Sequence, residues 1–226
     1  MIVPNKINNE IKIGVLSLQG AFEEHVEMLR TLNCSTCQVK NSEELWKCDG
    51  LILPGGESTA MSLIAQRCGL WDDLLKFSQE KPVFGTCAGM ILLAKQVDHQ
   101  KKDGQATLGC MDILVDRNFF GSQLASFGTN MLAQFKKNES LVPFFAYFIR
   151  APIVEKLLSE EVLIISQLSE ETVAAHKKFD GHDINGVSRI IAVQQKNWLA
   201  TAFHPELSNC NIFHSHFIEM VIKSKE

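Results

Sequence analysis

The sequence predicts an α/β fold, a mixed and mostly parallel sheet with helices on both faces. Three observations predict it. Residues 11–97 alternate short apolar runs with amphipathic helical patterns, the rhythm of a parallel sheet. Residues 111–203 hold a succession of strand-like runs with few helices between them, which calls for an antiparallel extension of that sheet or a ribbon beside it. The C-terminal stretch returns to helical spacing.

The elements follow in order. Buried strands are read at 11–18, 37–40, 50–53 and 82–86, where short apolar runs are rich in Val, Ile and Phe. Residues 21–32 read as a helix because Phe22, Val26 and Leu29 recur at i, i+4 and i+7 on one face. Residues 57–68 and 72–81 read as helices too, and 89–97 as a helix that follows the fourth strand at once. Further strands are read at 111–116, 123–133, 144–149, 162–167, 189–195 and 198–203, with Gln195-Lys196-Asn197 turning between the last two. Residues 211–223 place Phe213, Phe217, Met220 and Val221 at i, i+4, i+7 and i+8, so this helix should pack on the sheet. The stretch 169–188 carries Asp180-Gly181-His182-Asp183 and Asn185-Gly186 and reads as a surface insertion between two strands. No repeat, low-complexity segment or interdomain linker is visible, so 1–226 is read as one domain.

Composition narrows the function classes. Hydrophobic residues are 46% and charged residues 21% of the 226, the balance of an ordinary globular protein. A formal net charge of -4 does not favour nucleic acid, which usually needs a basic face. The N-terminus, MIVPNKINNE, has neither an apolar signal region nor a small-residue cleavage site. The longest apolar stretch, 141–149, is interrupted by Pro143 and is too short to span a bilayer. Seven scattered cysteines without an export signal are expected to be reduced thiols in a reducing, cytoplasmic compartment.

The most informative stretch is Pro82-Val83-Phe84-Gly85-Thr86-Cys87-Ala88-Gly89-Met90. An apolar strand runs into a cysteine and a helical pattern begins directly after it. Small residues sit at minus two, plus one and plus two, the composition of a nucleophile elbow. Such a turn is sharp and strained. The new helix would present free N–H groups and its positive dipole end to the sulfur, which favours the nucleophilic thiolate. A cysteine taken at random is a buried structural residue; the glycine frame and the strand-to-helix position set Cys87 apart.

A cysteine nucleophile needs a base, and the base needs a group that holds it. His204-Pro205-Glu206 ends the apolar run 198–203. On a strand, i and i+2 share a face, so Glu206 can approach the ring that His204 aims at a thiol. Pro205 lacks an N–H and belongs at a strand end. Catalytic groups of parallel sheets gather at the carboxyl ends of strands, where both Cys87 and His204 fall. His25 lies on the first helix, His99, His176 and His182 in polar stretches, and His214 and His216 on the last helix; none combines a strand end with a carboxylate two residues on. His214 and His216 do not face one way on a helix, so they make a poor metal pair. Cys34-Ser35-Thr36-Cys37 is a lone CxxC without a second pair and is not read as a metal or redox site. A second strand-to-helix passage, Leu51-Ile52-Leu53-Pro54-Gly55-Gly56-Glu57-Ser58-Thr59, offers backbone N–H groups to an oxyanion, with Ser58 or Thr59 as the helix cap.

Together, Gly85-Thr86-Cys87-Ala88-Gly89-Met90, Pro54-Gly55-Gly56-Glu57-Ser58 and His204-Pro205-Glu206 resemble class I (triad) glutamine amidotransferases. Gly14-Val15-Leu16-Ser17-Leu18-Gln19-Gly20-Ala21, Asp116-Arg117-Asn118-Phe119-Phe120-Gly121 and Phe148-Ile149-Arg150-Ala151-Pro152 narrow the resemblance to the glutaminase subunits of pyridoxal 5'-phosphate synthase. The resemblance covers nearly the whole chain. It implies a flavodoxin-like fold with a class I amidotransferase elaboration, and a triad of Cys87, His204 and Glu206. It implies that L-glutamine is held by Gly55, Gly56, Glu57, Ser58, Arg117, Ile149 and Arg150. It also implies a partner, a (β/α)8-barrel synthase subunit that takes the ammonia and docks near Gln19 and Gly20. No metal or organic cofactor is implied.

The chain departs from that pattern at Gly121-Ser122-Gln123-Leu124-Ala125-Ser126-Phe127-Gly128, where relatives often carry Gly-Arg-Gln-Val-Asp-Ser-Phe-Glu. One positive and two negative side chains are absent there. Two other readings stand beside the leading one: an amidotransferase serving another synthase, and a non-catalytic redox-sensing or regulatory protein on the same fold. The Leu18-Gln19-Gly20 loop and the 148–152 motif weigh against the first, and an intact His204 and Glu206 against the second.

Overall fold

The computed structural model describes residues 11–98, 105–120, 126–176, 188–208 and 210–226. Its first half alternates as the sequence predicts: β1 (Lys12–Leu16), α1 (Phe22–Thr31), β2 (Ser35–Val39), α2 (Ser42–Trp46), β3 (Gly50–Leu53), α3 (Ser58–Arg67), α4 (Trp71–Glu80), β4 (Val83–Thr86) and α5 (Ala88–Leu93). Then come β5 (Ala94–Asp98), β6 (Met111–Asp116), β7 (Ser126–Ala133), β8 (Val142–Ile149), β9 (Ile153–Leu157) and β10 (Leu163–Gln167). The chain closes with α6 (Glu170–His176), β11 (Ile190–Gln195), β12 (Trp198–Thr201) and α7 (Ile212–Lys223).

Ten strands make one sheet in the order β2-β1-β3-β4-β12-β11-β9-β6-β5, with β10 paired to β11. The run from β2 to β12 is parallel; β12, β11, β9 and β6 then pair antiparallel, and β5 returns parallel to β6. β7 and β8 form a separate two-stranded ribbon. Both alternatives left open by the sequence, an antiparallel extension and a ribbon, are therefore present.

β3 and β4 are buried at every position because helices cover both sheet faces. α7 lays Phe213, Phe217, Ile218 and Val221 on the sheet. Phe217 packs 5.6 Å from Phe84, and Phe213 meets Phe203 edge-on at 5.1 Å. Each such ring contributes about 2–3 kcal/mol by leaving water. The ribbon behaves differently. Along β8, Phe144, Ala146 and Phe148 are buried while Phe145, Tyr147 and Ile149 are exposed. Gly128 lies under the Phe145 ring, and a Cβ there would come 2.6 Å from Phe145 Cε1. Phe145 thus covers the bare strand as a diagonal cross-strand neighbour.

Several expectations are corrected. The helix read over 89–97 ends at Leu93, and 94–98 is β5, because pairing with β6 overrides local helical spacing. α2, β9 and α6 occupy stretches not read as elements. The strand read over 198–203 ends at Thr201. Of the insertion read at 169–188, α6 begins at Glu170 and buries Val173, while 177–187 lies outside the described residues. So do 121–125, His99 and His182. Among the described residues no helix is long and apolar enough to cross a membrane.

Candidate active site

β3, β4 and β12 lie side by side and parallel, and their carboxyl ends bring three loops together. Thr86 pairs with Thr201, and the Cys87 N–H donates to Thr201 O at 2.8 Å. The chain then reverses sharply: Cys87 has φ 49° and ψ -102°, and α5 starts at the next residue. A side-chain-bearing residue held in this region is strained, and the packing around it must enforce the conformation. That packing is tight. A Cβ on Gly89 would lie 2.1 Å from Leu53 O, so only glycine lets α5 start this close to β3. The sequence-read elbow is therefore present, with Cys87 6% exposed at its apex.

His204 stands just beyond the end of β12. Its Nδ1 lies 2.7 Å from Glu206 Oε1, and its N–H donates to Tyr147 O at 2.9 Å. The device that joins His204 to Glu206 is not strand alternation. Pro205–Leu207 is a single 3-10 turn with Pro205 at its first position, and the turn folds the carboxylate back onto the ring. Burial alone would lower the His204 pKa. A hydrogen bond with Cys87 and the Glu206 carboxylate outweigh it and raise the value to about 10. Burial likewise pushes Glu206 up, and the imidazoles of His25 and His204 outweigh it, leaving the carboxyl at about 2. Cys87, His204 and Glu206 are thus brought together from distant parts of the chain.

The glycine loop closes one side. Gly55 lies flat against the His204 ring; a Cβ there would come 2.3 Å from Cε1. Glu57, rather than Ser58 or Thr59, caps α3: its carboxylate accepts from Thr59 N at 3.1 Å and Ala60 N at 2.7 Å. The longer side chain reaches back from an extended residue and sets its charge at the positive helix end. These N–H groups and Arg117 outweigh partial burial and lower the Glu57 pKa. Ser58 and Thr59 both donate to Gln105 Oε1, at 3.0 and 3.1 Å. Arg117 reaches the same Gln105 oxygen at 3.1 Å and Glu57 Oε1 at 3.3 Å.

The remaining expected residues converge on the same place. Ile149 O faces Cys87 Sγ at 3.9 Å, and Arg150 takes a positive φ of 47° at the rim. Gln19 Oε1 accepts from Glu57 N at 2.8 Å, and Gly55 O accepts from Ala21 N at 3.0 Å, so the Gln19-Gly20 loop braces the glycine loop. A cavity of about 340 Å³ is lined by Cys87, His204, Gly55–Ser58, Arg117, Ile149 and Arg150, among others. It sits at the small end of ligand pockets, on the scale of a single amino acid. Among the described residues no cluster of three or more His, Cys, Asp or Glu could hold a metal. Cys37 approaches Cys48, Sγ to Sγ at 3.4 Å, rather than Cys34, and all seven cysteines are free thiols.

Sequence reasoning passed over three residues near this site. Gln105, which gathers Ser58, Thr59 and Arg117, carries no motif that marks it. His25 and His214 were set aside as helix residues, yet His25 Nε2 lies 3.4 Å from Glu206 Oε2 and 3.1 Å from Thr86 Oγ1. His25 Nδ1 lies 2.9 Å from His214 Nε2. A signal was available: His25 shares the apolar face of α1 with Phe22, Val26 and Leu29, an odd place for a solvated histidine.

Known proteins are similar to this one over most of the chain. A Dictyostelium discoideum protein named "Probable pyridoxal 5'-phosphate synthase subunit pdx2" is 38% identical, over 96% of this chain and 94% of its own. A Dehalococcoides mccartyi protein named "Pyridoxal 5'-phosphate synthase subunit PdxT" is 42% identical, over 93% and 97%. A solved structure described as "Crystal structure of glutamine amidotransferase" superposes with a TM-score of 0.75 at 34% identity, covering 92% of this chain and 98% of that one. The family model described as "SNO glutamine amidotransferase family" matches residues 15–223. With the fold, an elbow cysteine and a paired histidine and glutamate in place, the chain belongs to the SNO glutamine amidotransferase family.

Proposed function

We propose that this protein is the glutaminase subunit of a pyridoxal 5'-phosphate synthase, hydrolysing L-glutamine to L-glutamate and ammonia. The observation that carries the reading is the elbow at Cys87 with the His204–Glu206 pair bonded at 2.7 Å beside it. The Cys87 thiolate attacks the side-chain carboxamide carbon, and the oxygen takes the negative charge. Backbone N–H groups of Gly55 and Gly56 and of Ala88, at the start of α5, receive it, the Glu57 N–H being already given to Gln19 Oε1. As the tetrahedral intermediate collapses, the C–N bond breaks and the His204 imidazolium gives its proton to the leaving nitrogen, releasing ammonia and a γ-glutamyl thioester. His204 then takes a proton from water, the hydroxide attacks the thioester, and the C–S bond breaks to give glutamate and the thiolate. Glu206 holds the ring and balances the imidazolium charge.

Arg117, Ile149, Arg150 and Glu57 form the wall for the amino-acid end of the substrate. Arg117 supplies a cation for the α-carboxylate, and Glu57 a carboxylate for the α-ammonium. The ammonia passes to a (β/α)8-barrel synthase subunit, which docks on the face carrying Gln19 and Gly20. The Gln19 bond to the glycine loop makes that face able to act on the oxyanion donors. The continuous apolar core supports one domain over 1–226, and the seven free thiols support a cytoplasmic setting.

Ammonia release from glutamine, measured with the synthase subunit present, tests the reading. Cys87→Ala is expected to lower it by about 10⁴-fold or more while leaving association with the synthase intact. Undiminished release by that variant overturns the assignment. A non-catalytic regulator on this fold would give no release even from the unaltered chain.

A further inference from the structure

Behind the triad, four polar groups that the reaction scheme does not use are buried together: His25, His214, Thr86 and the second oxygen of Glu206. Glu206 Oε1 is taken by His204. Glu206 Oε2 is fully buried and has no hydrogen bond of ordinary geometry, yet an ionised carboxylate oxygen out of water demands a donor. What faces it is His25 Nε2, at 3.4 Å, from the buried side of α1. We infer that His25 is a positioning residue for the triad: its Nε2–H, bonded to Thr86 Oγ1, lies beside Glu206 Oε2 at 3.4 Å, so that the carboxylate stands between two imidazoles, one facing each oxygen. This rests on the glutaminase reading and deepens it.

Chemistry fixes the direction of the chain of bonds. A lone pair on His25 Nε2 would face the carboxylate and be repelled, so that nitrogen carries the hydrogen, shared with Thr86 Oγ1 at 3.1 Å. His25 Nδ1 is then an acceptor. Its partner at 2.9 Å is His214 Nε2, which must donate. His214 Nδ1 is left as a bare lone pair; it is buried and has no partner. That is the tolerable way round, because the opposite tautomer would strand an N–H there. Burial also favours the neutral form of both rings, lowering His25 and taking His214 down to about 3. His214 therefore sets the tautomer of His25, and His25 orients Glu206. The arrangement repeats one step further back what Glu206 does for His204.

The direct measurement is the tautomer of each histidine in the unaltered protein, read from long-range ¹H–¹⁵N correlations of ¹⁵N-histidine-labelled chain, assigned by single variants. Neutral Nε2–H forms for both His25 and His214 from pH 5 to 8 are expected. An Nδ1–H or doubly protonated His25 overturns the inference, and this outcome does not depend on any variant folding. The kinetic arm uses the complex with its synthase. His25→Phe is expected to lower kcat by about tenfold with KM for glutamine changed by less than about twofold, and His25→Gln, whose amide can still donate, to recover within about threefold of the unaltered protein. Equal loss in both, or a loss confined to KM, counts against a positioning role. Cys87→Ala separates the two levels. If it still releases ammonia, the triad reading is at fault; if it is inactive and His25 carries the wrong tautomer, only the present inference falls.

Discussion

The two walls of the active-site cavity are held by different means. On the parallel side, the segments after β1, β3 and β4 press backbone on backbone: a Cβ on Gly89 would meet Leu53 O at 2.1 Å, and one on Gly20 would meet Gly55 O at 1.9 Å. On the ribbon side, contact is made by side chains with room to move. A Cβ on Gly128 would meet the ring of Phe145 at 2.6 Å, but that ring is 38% exposed and can swing away. Cys87 is thus set by a surface that cannot yield, and the Ile149–Arg150 wall by one that can. This is the division expected when reacting atoms need sub-ångström placement and a substrate needs entry.

The same small substitution should break one wall and barely touch the other. Gly89→Ala is expected to cost about 3 kcal/mol or more, since a main-chain carbonyl and not a flexible tip stands in the way; urea denaturation checks it, and a loss under about 1 kcal/mol would show that α5 can shift. A second effect belongs to the electrostatics of the rigid side. The fold holds the Glu206 carboxyl at about 2, against an ordinary 4.5. The folded state therefore favours the ionised form, and this contribution is whole above pH 4.5 and is lost as pH falls through 2. The stability gap between the unaltered protein and Glu206→Gln should be constant above pH 4.5 and close toward pH 2. A gap that stays open in acid would mean the glutamate acts through packing. On the ribbon side, Ile149→Ala should raise KM for glutamine about threefold with the melting temperature shifted by less than a few degrees, because Ile149 is 39% exposed. Gly128→Ala should change stability by no more than about 0.5 kcal/mol in either direction; a change as large as that at Gly89 would erase the distinction between the walls.

How much could be read without coordinates follows the same divide. β3 and β6 coincide with the segments read at 50–53 and 111–116, because buried strands write themselves as apolar or alternating runs. The elbow was legible because glycine and alanine around a strand-end cysteine have few other uses. α2 was missed for its shortness, although Asn41 Oδ1 accepting from Glu44 N is a capping pattern the sequence displays. β9 and β5 were missed because their partners, β6 and β11, define them, and pairing across the sheet leaves little local trace. His204 and Glu206 were paired in the sequence by strand alternation, whereas a 3-10 turn joins them, since either can bring residues two apart to one side. His25 was invisible as a functional residue because its partner on α7 lies at the other end of the chain.

The register of Thr86 against Thr201 has one more consequence. The strand that leads to His204 is nearly the last to be synthesised, and it lies between β4 and β11 rather than at an edge. Until it does so, the thiol has no imidazole and the sheet has a gap through its middle. An emerging or truncated chain therefore cannot liberate ammonia early: competence arrives in one step, with closure of the sheet, and is lost in one step when that seam opens.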